Sequence, residues 1–173
     1  MKVGSSLIRL MQRLAVKDWL ITIFPSARAD ERIAGLNAND RKLFEALCQF
    51  VWVQGEPTAL IFDVENVVYT KQGITLSALK HLEVLGFLNY EPAGFIKKRL
   101  GKHTRLFYRG KPTKISFLHD ENNQLDLGHV LLTEAGKELA LICTATRNQE
   151  FYEYVIKRWH QQGFILSSIQ VDQ

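Results

Sequence analysis

The sequence predicts an α+β fold, with a helical N-terminal half followed by a small antiparallel sheet. Apolar residues in the first half recur at intervals of three and four, the period of a helix with one buried face. From residue 87 onward, short stretches alternate apolar and polar residues between turn signals, as half-buried strands do. Helices followed by strands indicate the α+β class. With 173 residues, 46% of them hydrophobic, the chain can bury a core without disulfides or metals.

Residues 5–24 are predicted to form an amphipathic helical arm that ends at Pro25. The apolar residues between Leu7 and Leu14 follow helical spacing, and basic residues occupy the other side. We therefore predict an arm with its linker over residues 1–35 and a main domain over residues 36–173. Three roles fit such an arm: packing on its own domain, contact with a partner or second copy, and binding to a membrane surface.

The second helix is predicted to begin at Asn37, whose side chain can cap it together with Asp40 three residues later. Its apolar stripe continues until the turn signal at residues 54–57, where we expect it to end. A short extended segment at 59–62 and a short helix at 64–71 are predicted to follow.

A third helix is predicted from the cap at Thr75 to Gly86, the usual C-terminal punctuation. On its outer side only Ser77 and Lys80 suit a nucleic-acid groove, and Glu83 would repel phosphate. Helices that read DNA sequence usually offer Arg, Asn or Gln there. This helix is therefore a poor candidate for sequence reading.

Strands are predicted near residues 87–91, 105–110, 113–118 and 128–132, with a basic loop between the first two. The middle pair is expected to form a β-hairpin around the turn Gly110-Lys111-Pro112.

Two helices and a strand are predicted to close the chain. Thr133 caps the first helix, in which Gly136 allows close packing. The second covers residues 149–161 and ends at Gly163, before a final strand at 164–169.

This order of elements resembles a winged helix-turn-helix domain. The run from Leu79 to Leu88 resembles the end of a third helix entering the first wing strand, and the run from Leu131 to Leu139 resembles the exit from a wing into a packing helix. Their separation is long for a simple wing, which implies an inserted hairpin. The resemblance thus implies a winged-helix-like core with an inserted basic β-hairpin, an N-terminal helical arm and a C-terminal helix.

The chain also resembles, over about residues 36–165, a family of uncharacterised bacterial proteins known only as a domain of unknown function. The resemblance brings no activity and no catalytic residues, and implies a bacterial cytosolic protein with a winged-helix-like core. The resembling segments are 40–48 with Phe50, 60–62, 79–86, 128–142 and 154–163.

The excess positive charge lies in one part of the chain. Residues 87–119 hold eight Lys and Arg and one acid, Glu91, whereas residues 1–86 have a net charge of +1 and residues 120–173 a net charge of −4. Such a local field indicates a polyanion or an anionic surface as partner. We call residues 97–114 the basic wing. The predicted contact residues are Lys97, Lys98, Arg99, Lys102, Arg105, Arg109, Lys111 and Lys114, with Ser77 and Lys80 on the third helix.

Basic side chains on a hairpin can hold the phosphate backbone of DNA or RNA, and the interleaved aromatic residues Phe95, Phe107, Tyr108 and Phe117 could stack on unpaired bases. The alternatives are docking of an acidic protein and a solvated face whose aromatic residues point into the core.

Three functions compete. The charge of the wing favours a non-enzymatic nucleic-acid-binding protein, such as a regulator. The poor groove face of the third helix favours a protein-interaction or assembly module, for example an accessory subunit of a bacterial defence complex. The third hypothesis is a membrane-surface adaptor that uses the arm and the hairpin.

The sequence carries no recognisable motif for catalysis, metal binding or cofactor binding. The five histidines show no metal-ligand spacing, and no nucleophile elbow, phosphate-binding loop or dinucleotide fingerprint is present. We expect no enzyme, no cofactor and no membrane span. Cys48 and Cys143 are too few for a disulfide framework and are read as free thiols that behave as small hydrophobes, in keeping with a cytoplasmic protein.

The arm at 5–24 and the helix at 149–161 both carry large apolar faces, and one winged-helix core has limited surface to cover both. We predict that one of them contributes to a homodimer or a partner contact. Scattering measurements on the full chain and on a variant lacking residues 1–24 test this. A strictly monomeric protein whose stability is unchanged by the deletion would contradict it.

Overall fold

The computed structural model describes residues 35–168, and the account here concerns the unit that begins at Asn37. The predicted arm at 5–24 lies outside the described residues, and the division into 1–35 and 36–173 stays a prediction. The described helices are α1 (Ala38–Cys48), α2 (Val67–Thr70), α3 (Leu76–Val84), α4 (Glu134–Ile142) and α5 (Gln149–Gln161). The described strands are β1 (Val51–Gln54), β2 (Glu56–Ala59), β3 (Leu88–Leu100), β4 (His103–Tyr108), β5 (Lys111–Ser116), β6 (Asn123–Leu132) and β7 (Ile165–Ser168).

The predicted α+β class is confirmed, because helices and two antiparallel sheets make up this unit. The predicted helix caps are also confirmed. Asn37 accepts the Asp40 backbone N–H at 2.8 Å, and Thr75 accepts that of Ala78 at 3.2 Å. Thr133 caps α4 in the same way. Each cap satisfies a backbone donor that the first turn of a helix leaves without a partner.

The larger sheet has five strands in the order β2-β1-β4-β5-β7. Its centre is the predicted hairpin of β4 and β5, in which Arg105 pairs with Lys114. The connecting residues Arg109 and Gly110 both have positive φ, of 49° and 76°. Two positive φ angles give a turn whose twist matches that of the flanking strands.

The smaller sheet pairs β3 with β6, from Leu88 opposite Leu132 to Leu100 opposite Asn123. Two predictions were wrong here: the basic loop after residue 91 is mostly strand, and the predicted strands lie in two sheets. Register shifts along the ladder break the alternation of apolar and polar residues that would reveal the strand. Pro92 fits because β3 has one free edge.

The predicted end of the second helix at 54–57 was also wrong. The helix ends at Cys48, and the next residues form the β1–β2 hairpin around Gly55, whose φ is +74°. The apolar run through Val51 and Trp52 fits a buried helix or a strand, and pairing with β4 makes it a strand. Likewise, of the segment predicted as extended at 59–62, only Ala59 belongs to a strand, β2, and Ile61 forms a single bridge to Gly128.

Aromatic side chains join α5 to the inner face of the five-stranded sheet. Trp52 stacks on Tyr108 with ring centroids 5.0 Å apart and meets Trp159 edge-on at 5.1 Å. Phe151 and Val155 of α5 are buried beside them. The apolar stripe that the sequence assigns to residues 149–161 therefore packs mainly inside this unit.

The start of α4 lies directly against the end of α3. Thr133 donates its hydroxyl to the Gly86 carbonyl at 2.6 Å and its backbone N–H to the Phe87 carbonyl at 3.0 Å. A Cβ atom on Gly136 would lie 1.9 Å from the Phe87 carbonyl oxygen. The backbones at residues 136 and 87 can approach this closely only because residue 136 is glycine, as the sequence predicts.

Replacing Gly136 with Ala should lower the free energy of unfolding by about 1–3 kcal/mol or more, because backbone must move to admit the methyl group. In an exposed helix the same change is stabilising by about 1 kcal/mol, so the sign of the effect is diagnostic. Urea unfolding measures it. The control is Gly101→Ala, where a Cβ meets nothing within 4 Å. Equal stability of the two variants would contradict the close contact.

Candidate nucleic-acid interface

The β4–β5 hairpin separates its basic residues from most of its aromatic residues. Leu106 and Tyr108 point inward and are buried, so the alternate residues Arg105 and Phe107 point outward. Phe107 is 42% exposed, whereas Phe117 is buried. Of the interleaved aromatic residues in the hairpin, Phe107 therefore shares a face with the basic side chains.

Directly opposed residues of an antiparallel pair lie on the same face of a sheet. Lys114 is therefore beside Arg105 and Ser116 beside His103, and these residues with Phe107 form what we call the basic sheet face. The strand β7 extends it, because Ser167 pairs with Lys114. The outward positions of β4, β5 and β7 include no acidic residue. Sequence reasoning missed His103, although its alternation with Arg105 and Phe107 is visible in the sequence.

A second group of cations lies at the far end of β3. Lys98 and Arg99 are exposed, and Lys97 is half-buried opposite Leu125. Arg99 has a φ of 59° within a register shift between Lys97 and Leu100, so the strand bulges there. We call Lys97, Lys98 and Arg99 the basic strand end.

The side chains of six of the predicted contact residues make no hydrogen bond or ion pair with any residue that the structure describes. Their cationic groups face solvent without an internal counter-charge, although Lys97 and Lys114 are partly covered. The six are Lys97, Lys98, Arg99, Arg105, Lys111 and Lys114.

Two other predicted residues bind their own chain. The Lys102 ammonium lies 3.3 Å from the Leu118 carbonyl and 3.3 Å from an Asp120 carboxylate oxygen. The Arg109 guanidinium donates to the Cys48 carbonyl at the C-terminal end of α1. A cation at this end of a helix is favourable because unpaired carbonyls carry partial negative charge there. The structure thus gives Arg109 a contact that holds the hairpin turn to α1.

The outer side of α3 carries a neutralised cation. Ser77 and Lys80 are exposed, but the Lys80 ammonium lies 3.1 Å from one oxygen of Glu83. The other oxygen of Glu83 accepts the Tyr90 backbone N–H at 2.8 Å. The bond from Tyr90, and then that from Lys80, lowers the pKa of Glu83, so its carboxylate stays charged beside Lys80.

The described residues hold no cluster of three or more His, Cys, Asp and Glu side chains that could bind a metal ion. None of the described helices is both long and apolar enough to cross a membrane.

Comparison with known proteins places the chain in one family. A family model described as "Protein of unknown function (DUF2806)" matches residues 25–156. This agrees with the resemblance to an uncharacterised domain seen in the sequence. The searches of curated proteins and of solved structures returned no match.

Proposed function

We propose that this chain, which belongs to the DUF2806 family, is a winged-helix protein without catalytic activity that binds the phosphate backbone of a nucleic acid through its basic wing. The observation that carries this proposal is the set of six cations between Lys97 and Lys114 that have no counter-charge among the described residues. Phosphate groups would supply that charge, and release of counterions would supply much of the affinity.

The order of elements supports the winged-helix part of the proposal. Three helices, α1 to α3, precede the long pair β3 and β6. In the chain, the β4–β5 hairpin comes between these two strands, and in the fold it belongs to the larger sheet. The bridge between Ile61 and Gly128 brings the segment after α1 to the base of the pair. This is the order of helices and strands on which the resemblance to a winged helix-turn-helix domain rests.

The pairing of Arg105 with Lys114 supports an anionic partner. Like charges directly opposite each other in a sheet are destabilising. Nothing in the described fold compensates these two charges, since neither has an acidic neighbour within ion-pair distance. A bound phosphate between them would convert this repulsion into two favourable contacts.

The second candidate, a protein-interaction module, is favoured by apolar exposure on α3. Val84 is 86% exposed and Leu76 is 45% exposed, and both lie on the helix that would otherwise enter a DNA groove. Apolar side chains on that helix suit a protein surface better than a groove rich in hydrogen-bonding groups. The two functions are compatible if the wing binds nucleic acid and α3 binds a protein.

Removing the free cations of the wing should weaken binding equally for all sequences, because phosphate contacts carry no sequence information. For Lys97→Ala/Lys98→Ala/Arg99→Ala and for Arg105→Ala/Lys114→Ala, the slope of log affinity against log salt should shrink by about 0.9 per lost contact on duplex DNA. Fluorescence anisotropy over a salt series measures this slope.

The matched control for the second variant is Arg41→Ala/Lys42→Ala, which removes two exposed cations of α1. The control should leave the slope unchanged. Lys80→Ala should have a smaller effect than either wing variant, because Glu83 already neutralises Lys80. A dominant effect of Lys80 with inactive wing variants would move the contact to α3, and no binding by the unaltered protein at low salt would remove the proposal.

Phe107 is expected to distinguish single strands from duplexes. Replacing it with Ala should weaken binding to single-stranded DNA or RNA by about 1–3 kcal/mol if one base stacks on the ring, and should change duplex affinity little. Ile165→Ala is the control, because Ile165 is exposed on the same sheet and has no aromatic ring. Equal losses on single strands and duplexes would show that Phe107 does not stack on bases.

A further inference from the structure

The outer face of the larger sheet carries its side chains in three rows that cross β4, β5 and their neighbouring strands. Directly opposed residues of an antiparallel pair share a face, so the pairing registers fix the members of each row. Successive rows are two residues apart along β4, which is about 7 Å at the usual rise of a strand. An extended single strand of nucleic acid advances by about this distance per nucleotide.

The first row is apolar and contains an exposed aromatic ring. Phe107 lies opposite Val53 of β1 on one side and opposite Pro112 of β5 on the other. The Phe107 side chain is 42% exposed, and Val53 and Pro112 are half-buried beside it. The flat face of an unpaired base can stack on such a ring. A phosphate group, by contrast, finds neither a cation nor a hydrogen-bond donor among these three side chains.

The second row offers only positive charge and a hydroxyl group. Arg105 lies opposite Lys114, and Lys114 lies opposite Ser167 of β7. Guanidinium, ammonium and hydroxyl groups all donate hydrogen bonds to phosphate oxygens. A phosphate on this row would also reduce the repulsion between the two opposed cations. The second row therefore suits the phosphate next to a base that is stacked on Phe107.

The third row holds a second aromatic ring. His103 is exposed, and its Nδ1 atom lies 2.9 Å from the Ser116 hydroxyl oxygen, in a hydrogen bond that holds the ring on the sheet. Ile165 of β7, which is 69% exposed, lies on the other side of Ser116. Histidine rings stack on unpaired bases as other aromatic side chains do. From the first row to the third, the order is thus ring, cations, ring, which matches the order base, phosphate, base in two linked nucleotides.

We propose that the basic sheet face binds two successive nucleotides of a single strand, with one base on Phe107 and the next on His103. The phosphate that links them lies on Arg105 and Lys114, and the strand runs along β4. This inference rests on the proposed function, since it names the class of nucleic acid that the same surface binds. A duplex does not fit the arrangement, because each of its internal bases is already paired and stacked between its neighbours.

Three fluorescent probes of equal length test the site with the full chain: a thymidine single strand of about ten nucleotides, the same strand without its bases, and a duplex. In anisotropy titrations, Phe107→Ala and His103→Ala should each weaken binding of the thymidine strand about fivefold or more. Neither change should alter binding of the other two probes by more than about twofold, because those contacts are to phosphate. This retained affinity also shows that each variant is folded. Arg105→Ala/Lys114→Ala should weaken binding of all three probes.

The variant His103→Phe separates stacking from charge. Phenylalanine keeps an aromatic ring and removes the charge that a histidine can carry, so this variant should bind the thymidine strand as tightly as the wild type. The control is His160→Ala, which removes an exposed histidine of α5, the helix that packs on the other side of the sheet. It should leave all affinities unchanged. Equal losses from His103→Phe and His103→Ala would overturn the placement of a base on this ring.

The same titrations distinguish failure of this proposal from failure of the proposed function. If the thymidine strand and the strand without bases bind equally well, the dinucleotide site is overturned and backbone binding stands. If none of the three probes binds at low salt, both are overturned. If a polyglutamate peptide binds as tightly as the thymidine strand, and Phe107→Ala affects neither, the surface docks an acidic protein and the dinucleotide site is overturned.

Discussion

The burial of Tyr108 is the constraint on which most of this structure depends. Its ring stacks on Trp52 and meets Phe151 edge-on, and its hydroxyl joins the end of α1 to the start of α5. Burial raises the pKa of Tyr108, so the hydroxyl remains protonated and able to donate at all moderate pH values. Because side chains alternate along β4, a buried Tyr108 forces Arg105 and Phe107 to the outer face. The same contact therefore assembles the core and sets the candidate interface.

Close backbone contacts join the smaller sheet to the helices around it. The Ile61 carbonyl accepts the His129 backbone N–H at 2.8 Å, and a Cβ on Gly128 would lie 2.3 Å from that carbonyl oxygen. Gly136 makes a comparable approach to Phe87 on the other side of the turn after α3. At both places a side chain as small as a methyl group would meet backbone atoms, which cannot rotate away. These glycines allow β6 and α4 to pack directly on the segment between α1 and β3.

Cations in the part of the chain that the structure describes include two classes with different physical roles. Lys137 lies 2.8 Å from Glu56 and Lys102 lies near Asp120, so each is compensated within the fold. Arg105 and Lys114 lie side by side without compensation, which costs stability unless an anion binds. This contrast, more than the total charge of +4, is why we propose the wing as the contact surface.

The sequence by itself determined the features whose causes are local. The caps at Asn37, Thr75 and Thr133, the hairpin before Lys111 and the ends of α3 and α5 follow from side chains and glycines a few residues away. The concentration of positive charge was equally visible in the sequence. Tertiary structure decided the other strands and the side-chain contacts, because these features depend on partners that are distant in the sequence. The run after Cys48 became a strand by pairing with β4, and register shifts between β3 and β6 hid the strand nature of β3. Tertiary contacts also tied Arg109 to α1 and left Arg105 exposed.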